Sequence, residues 1–138
     1  YSLYWGFCSF SDFSSSASAD TNLEKLLTST QASPGDNAAY FFTVSKIRDE
    51  DVSFSQGSPI MNTGDLVTIY VSTVSGGDLG YTTVGPVTTS GSQKDSTLDI
   101  GPRTTVSLVF TPEAGTVTSV DLVTPSSYGT RETIQLYP

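Results

Sequence analysis

The sequence predicts an all-β protein built as an antiparallel β-sandwich or a small barrel, and three observations lead to this fold class. Apolar and polar side chains alternate along most apolar stretches, as they do in strands with one buried face. Turn-forming residues separate these stretches at intervals of roughly 8–12 residues. Strands do not alternate with long helical patterns, which argues against a parallel sheet. We therefore expect a single domain over residues 1–138 with about seven or eight strands.

The first 47 residues supply two predicted strands and a short helix. Tyr1 to Phe10 alternates, with Leu3, Trp5 and Phe7 on one large apolar face. A Ser-rich loop follows, and Asn22 to Thr28 carries three leucines at helical spacing, which predicts one or two turns of helix. Ala39 to Ile47 has aromatic side chains on both faces, so we expect it to be a central strand.

The remaining predicted strands lie between residue 66 and the end of the chain and follow clear turn signals. Arg103 to Thr111 shows the strongest alternation, in which Val106, Leu108 and Phe110 point inward. We expect these three residues to be core residues together with Leu122 and with Ile69 or Tyr70. The other predicted strands are residues 66–74, 81–89, where Pro86 marks an edge or bulge, 116–123 and 133–137.

Composition limits the partners of this chain. Only 14% of its residues are charged, whereas serine and threonine make up about thirty per cent. The net charge of −8 repels phosphate backbones and anionic lipid headgroups, so we expect no nucleic acid partner. No apolar stretch approaches the 18 or more residues of a membrane span. These features suit an exposed, extracellular protein.

The sequence contains no plausible catalytic residues, and we expect the protein not to be an enzyme. It has no histidine, which excludes Ser-His-Asp and Cys-His catalysis and removes the commonest metal ligand. Cys8 is the only cysteine, so no internal disulfide can form, and a buried position in a strand is the more frequent one for such a residue.

One acidic run offers a candidate metal site. Asp49, Glu50 and Asp51 form the densest cluster of carboxylates, and hard divalent cations bind several carboxylate oxygens. The spacing does not match an EF-hand loop, and such a run is more often a solvated bend that closes a strand. A structural divalent cation held by these three residues is the only cofactor that the sequence suggests.

Five short segments in the last 91 residues form a pattern through their order and spacing along the chain. The segments are Arg48-Asp-Glu-Asp-Val-Ser, Pro59-Ile-Met-Asn-Thr-Gly-Asp-Leu-Val, Gly101-Pro-Arg-Thr-Thr-Val, Thr111-Pro-Glu-Ala-Gly and Thr124-Pro-Ser-Ser-Tyr-Gly. Each alone is a generic turn, but together this part of the chain resembles the C-terminal region of archaeal flagellins, the subunits of the archaellum.

The resemblance implies an immunoglobulin-like β-sandwich that forms the outer shell of a motility filament on the cell surface. In that family a hydrophobic N-terminal helix packs in the filament core, and copies of the subunit are one another's partners. The helix and the glycosylation sequons of the family are missing from these 138 residues, so the resemblance implies a soluble outer domain.

Two alternatives stay open. The first is an accessory or stator subunit of the archaellum that binds the surface-layer protein. The second is a secreted carbohydrate-binding or adhesin β-sandwich, in which Tyr4, Trp5 and Tyr81 would stack on sugar rings. For Trp5, a place in the core beside Leu3 and Phe7 is the more frequent arrangement.

Overall fold

The computed structural model describes residues 19–33, 35–55, 58–74, 82–84, 87–89, 93–111, 114–131 and 133–136. These ranges contain two helices and eight strands. In chain order they are α1 (Ala19–Thr28), α2 (Asn37–Tyr40), β1 (Phe42–Arg48), β2 (Phe54–Ser55), β3 (Ser58–Pro59), β4 (Leu66–Val71), β5 (Thr82–Val84), β6 (Val87–Thr89), β7 (Thr105–Phe110) and β8 (Thr118–Val123).

The chain divides into two compact units, Tyr1–Asp99 and Ile100–Pro138. The first unit contains both helices and strands β1 to β6, and the second contains β7 and β8. The single domain that we expected over residues 1–138 stays a prediction.

The strands form antiparallel pairs. Four two-stranded ladders join β1 with β4, β2 with β3, β5 with β6, and β7 with β8. The described residues are thus mainly strands with few helices, which is consistent with an all-β protein. The packing of two sheets into a sandwich stays a prediction.

Helix α1 supplies most of the apolar core of the first unit. Leu23, Leu26 and Leu27 recur at the spacing of one helix face, and all three are buried. They pack with Phe41 and Val87. The helix is longer than the one or two turns predicted from residues 22–28, because burial of its leucines stabilises a helix that would be marginal in isolation.

The first half of strand β1 is buried on both faces, but among the described strands β1 pairs only with β4, so the central position that we expected stays a prediction. Thr43 lies opposite Tyr70 of β4, and Val44 lies opposite Ile69. Neighbouring residues of a strand point to opposite faces, and both Thr43 and Val44 are buried. Tyr70 is partly buried and packs against this core cluster, and Ile69 is also only half-buried, so the core position predicted for Ile69 or Tyr70 is met only in part.

The strand predicted over residues 81–89 is divided in two. Strands β5 and β6 pair with each other as a short hairpin, in which Val84 lies opposite Val87. Pro86, at which we expected an edge or a bulge, lies outside the described residues. Residues 133–136, predicted to belong to the last strand, are not in a strand.

The prediction that three side chains of β7 are core residues overestimates how deeply they are buried, although it identifies the face of the strand that they share. The residues Val106, Leu108 and Phe110 share one face with Leu122 of β8, which lies opposite Val106. Val106, Leu108 and Leu122 are only half-buried, and Phe110 is 37% exposed. A two-stranded ladder pairs one edge of each strand and covers neither face, so alternation alone does not bury these side chains.

Some expectations fall on residues outside the described ranges. They include the strand at residues 1–10 with Trp5 and Cys8, the Ser-rich loop at residues 11–18, and Tyr81. Within the described ranges, neither helix has the length and apolar character needed to span a lipid bilayer.

Candidate functional site

The acidic turn, residues 49–53, joins β1 to β2 and is organised by Asp49. One carboxylate oxygen of Asp49 accepts the backbone N–H of Ser53 at 3.0 Å, and the other accepts that of Phe54 at 3.2 Å. Lys46 also donates to the second oxygen at 2.9 Å. The Asp49 side chain is fully buried, so these bonds replace its lost hydration. Asp49 therefore acts as the structural anchor of the turn.

Asp51 joins the acidic turn to a second loop. One of its oxygens accepts the backbone N–H of Ser53 at 3.1 Å, and the other accepts the side-chain amide of Asn62 at 2.6 Å. The same Asn62 amide also donates to the Ser53 hydroxyl at 3.0 Å. Asn62 thus cross-links two segments that are about ten residues apart in the sequence.

Asp65 completes a group of three carboxylates. It closes the turn at residues 62–65, in which its N–H bonds to the Asn62 carbonyl at 3.1 Å and its carboxylate accepts the Asn62 N–H at 2.7 Å. Gly64 in this turn has a φ of 104°, which favours glycine. Because Arg48 lies opposite Leu66 in the β1–β4 ladder, Asp49 and Asp65 meet at the same end of it.

The structure therefore brings together two of the three predicted metal ligands and adds a third that we did not predict. Asp49, Asp51 and Asp65 each place one carboxylate oxygen within 4.8 Å of the others. Glu50 is not in this group, and its carboxylate lies 3.8 Å from the Arg48 guanidinium with both side chains largely exposed. Asp65 joins the group because of the register between β1 and β4, and local sequence patterns do not reveal strand register.

Three carboxylates at this spacing could bind a hard divalent cation, but each already accepts hydrogen bonds from the protein. An ion would have to compete with these bonds, above all at Asp49, where both oxygens have donors. The divalent cation stays a prediction, and the observed bonds give the cluster a role in holding two loops together.

Hydrogen bonds from the Ser53 side chain, and then from Asn62, lower the pKa of Asp51, and they outweigh the opposing effect of desolvation. Asp51 is therefore ionised at neutral pH, which does not suit a general acid. No histidine is available as a base anywhere in the chain. That the protein is not an enzyme stays a prediction.

The acidic turn also contains backbone strain. Val52 has a φ of 59°, a left-handed conformation that is unfavourable for a β-branched residue, and its side chain is exposed. The N–H of the next residue, Ser53, bonds to both Asp49 and Asp51. These bonds hold the turn in a conformation that its own sequence disfavours.

A second polar corner lies in the second unit and is centred on Thr124. Its hydroxyl accepts the Thr104 N–H at 2.8 Å and donates to the Gly101 carbonyl at 2.8 Å. The Tyr128 hydroxyl donates to the Ile100 carbonyl at 2.8 Å. We call this group, residues 100–104 with Thr124 and Tyr128, the Thr124 corner. It joins the chain before β7 to the chain after β8.

A scan against models of known protein families and a search of curated protein sequences both find no match to this chain.

Proposed function

We propose that this chain is the outer domain of a filament subunit of the archaeal flagellin type. In this proposal it folds as an immunoglobulin-like β-sandwich, is displayed on the cell surface and has a structural rather than a catalytic role. Its partners are other copies of the same subunit, held together by an apolar N-terminal helix of the kind found in that family.

The observation that carries the proposal is that four of the five segments of the resemblance meet in pairs. The first pair is the segment beginning at Arg48 and the segment beginning at Pro59. Arg48 donates to the Gly64 carbonyl at 2.7 Å, and Asn62 donates to Asp51 at 2.6 Å. These contacts are between the two segments, not within them.

The second pair is the segment beginning at Gly101 and the segment beginning at Thr124. The Arg103 N–H bonds to the Pro125 carbonyl at 3.0 Å, and the Thr124 N–H bonds to the Thr104 carbonyl at 2.9 Å. The hydroxyls of Thr124 and Tyr128 add further bonds to the same stretch. Segments that are distant in sequence thus depend on each other in the structure.

This pairing supports a shared fold as the reason for the resemblance. Catalytic motifs place reactive groups at a substrate, whereas the polar atoms of these residues form hydrogen bonds to backbone and side-chain groups of a neighbouring segment. Turns that depend on each other in this way occur together in a sequence because they build the same corner. Because such paired turns stabilise a fold, they favour a structural domain as the function of this chain.

The surface chemistry agrees with an exposed shell. One face of the β7–β8 ladder carries four exposed polar residues, Thr105, Ser107, Ser119 and Asp121, beside the exposed valines Val109 and Val123. The net charge of −8 disfavours close packing of like surfaces. Contacts between outer domains alone should be small and wet, so the apolar helix would provide the main assembly contact.

The proposal can be tested by supplying that helix. The 138-residue chain is fused to the leader and apolar helix of an established archaeal flagellin and expressed in an archaeal host without its own flagellins. We expect electron microscopy to show helical filaments with the chain as outer layer. The matched control is the chain without the added helix, which should give no filaments.

Two outcomes would contradict the proposal. The fusion could stay out of filaments while the native outer domain, in the same fusion, assembles normally. Alternatively, the soluble chain could bind glycans on an array or isolated surface layers, which would favour a carbohydrate-binding module or a stator subunit. An experimental structure without two packed antiparallel sheets would overturn the sandwich.

A further inference from the structure

Exposed apolar side chains are concentrated at one end of the β1–β4 ladder. Among the residues that the structure describes, eleven large apolar side chains are exposed, and five of them lie here. The five, which we call the apolar tip, are Ile47, Val52, Ile60, Met61 and Leu66. Single exposed apolar residues are ordinary, whereas a group of them in one place is the usual mark of a surface that binds another molecule.

Hydrogen bonds hold the segments of the apolar tip together. The Ser53 hydroxyl donates to the Ile60 carbonyl at 3.4 Å, and the Asn62 side chain donates to both Asp51 and Ser53. The last pair of the β1–β4 ladder places Leu66 beside the end of β1. The tip is thus formed before any partner arrives, and a preorganised surface loses little freedom on binding.

Val52 is the most exposed residue of the tip. Its side chain is 80% exposed, although its backbone has the left-handed φ of 59°. A side chain in solvent contributes little apolar burial to offset this strain, and strained residues cluster at sites of function. The conformation of Val52 therefore favours a binding role for the tip.

Charge indicates what kind of surface the tip would bind. Residues 1–99 contain four basic and eleven acidic residues, a net charge of −7, whereas residues 100–138 contain two and three, a net charge of −1. At the tip, Lys46 pairs with Asp49 and Arg48 lies near Glu50, which leaves Asp51 without a basic partner among the described residues. A complementary partner should therefore offer basic groups beside apolar surface.

The Thr124 corner carries both of these features. Arg103 and Arg131 are the basic residues of the second unit, both are exposed, and neither forms an ion pair within the described part of the chain. Arg103 belongs to the corner, and the Arg131 N–H bonds to the Tyr128 carbonyl at 3.3 Å. Two exposed apolar residues, Pro102 and Val123, adjoin Arg103 and Thr124 in the sequence.

We propose that the apolar tip of one copy of this chain binds the Thr124 corner of a second copy. The choice of a second copy rests on the proposed function, in which copies of the subunit are one another's partners. The contact joins unlike surfaces, so the acidic charge that separates like surfaces attracts the tip to the two arginines. It is small and weak in solution, and a filament strengthens it by holding the copies at high effective concentration.

Nuclear magnetic resonance of the soluble 138-residue chain can detect such a weak contact. As the concentration rises, we expect amide signals to shift at the tip, residues 47–53 and 60–66, and at the corner, residues 100–104 and 124–131. Added salt should reduce these shifts, because the charges that face each other are exposed. Signals of α1 should not move. The absence of concentration-dependent shifts at the two surfaces would overturn the inference.

Two variants separate the two surfaces. Val52→Lys replaces an apolar side chain of the tip with a charge that repels the arginines, and Arg103→Asp reverses a charge of the corner. Both positions have a left-handed φ, and neither new residue is β-branched, so both variants should fold. Each variant alone should self-associate about fivefold or more weakly than wild type.

Val117→Lys is the matched control, at a residue that is 52% exposed and belongs to neither surface. It should associate like wild type, and an equal loss in this control would assign the effect to overall charge and overturn the inference. If Val52→Lys fails to fold, Met61→Lys changes another exposed residue of the tip and takes its place.

A mixture of the two variants is the decisive measurement. Arg103→Asp retains a normal tip and Val52→Lys retains a normal corner, so one contact can still form between them. We expect tip signals to shift in labelled Arg103→Asp and corner signals to shift in labelled Val52→Lys. Self-association of Arg103→Asp at wild-type strength would show that two tips bind each other. Fusion filaments without any such contact in solution would overturn this inference and leave the proposed function standing.

Discussion

The two units of this chain are stabilised by different interactions. In the first, the apolar residues Leu23, Leu26, Leu27, Phe41 and Val87 form a buried cluster around α1. In the second, Thr124 is the one buried residue among those that the structure describes, and it is polar. The comparison teaches that the first unit has a buried apolar cluster, whereas the described part of the second unit depends on the β7–β8 ladder and on the hydrogen bonds of the Thr124 corner.

This difference has consequences for local stability. A two-stranded ladder without a buried face is marginal in water, so the β7–β8 ladder should open more readily than α1 and β1. Hydrogen bonds contribute less than core burial, but a buried polar group without a partner is costly. Each unit should therefore respond to a different kind of substitution.

The largest effect is expected in the core of the first unit. Leu26→Ala removes a side chain that is fully buried, and it should lower the free energy of unfolding by about 2–5 kcal/mol. Phe110→Ala, on the partly exposed face of β7, should cost less than about 2 kcal/mol. Urea titration measures both. Equal losses would show that Phe110 belongs to a core as fully as Leu26 does.

The acidic turn should depend on its buried carboxylate. Asp49→Asn weakens the bonds to Ser53, Phe54 and Lys46, and we expect a loss of about 1.5–3 kcal/mol. Glu50→Gln is the neighbouring control, because Glu50 is exposed and has only a long contact to Arg48. Thermal denaturation should leave this control near wild type. A similar loss in both variants would point to the overall charge instead of the geometry.

The second unit should respond to the loss of one hydroxyl. Thr124→Val keeps the shape of the side chain but leaves the Thr104 N–H without its acceptor, and it should cost about 1–3 kcal/mol. Thr105→Val, at an exposed position of β7, is the matched control. Hydrogen exchange should show faster exchange in β7 and β8 and no change in α1. Faster exchange in both places would show that the two units unfold together.

Relief of strain should stabilise the acidic turn. Val52→Gly permits the left-handed conformation without the steric cost of a β-branched side chain. The greater freedom of glycine in the unfolded chain reduces the gain, so we expect a net stabilisation of about 0.5–1 kcal/mol. Val52→Ala should give a smaller gain than glycine. A destabilised glycine variant would show that the exposed valine side chain makes a favourable contact.

The smallest expected effect is a pH dependence at Asp51. Its pKa is lower in the folded state than in the unfolded chain, so its contribution to stability is present above the unfolded value, near 4. The contribution is lost as the pH falls from there through the folded pKa. Asp51→Asn should therefore flatten the fall in the urea midpoint below about pH 4. An unchanged profile would mean that the Ser53 and Asn62 bonds do not favour the ionised form.

Local pattern was enough to predict much of the secondary structure. Period-two alternation predicted β1, β4, β7 and β8, because the side chains of a strand alternate whatever the strand pairs with. The spacing of three leucines predicted α1, and the turn residues 62–65 predicted where β4 begins. The acidic run was recognised as a bend by its composition alone.

Depth of burial and the partners of each carboxylate were decided by the tertiary structure. Alternation identifies which face of β7 is apolar, but a second layer must cover that face before Phe110 becomes a core residue. The register of β1 with β4 brings Asp65 to Asp49 and leaves Glu50 beside Arg48. The bonds of Thr124 cross about twenty residues of sequence. Such contacts depend on strand pairing, which local sequence leaves undetermined.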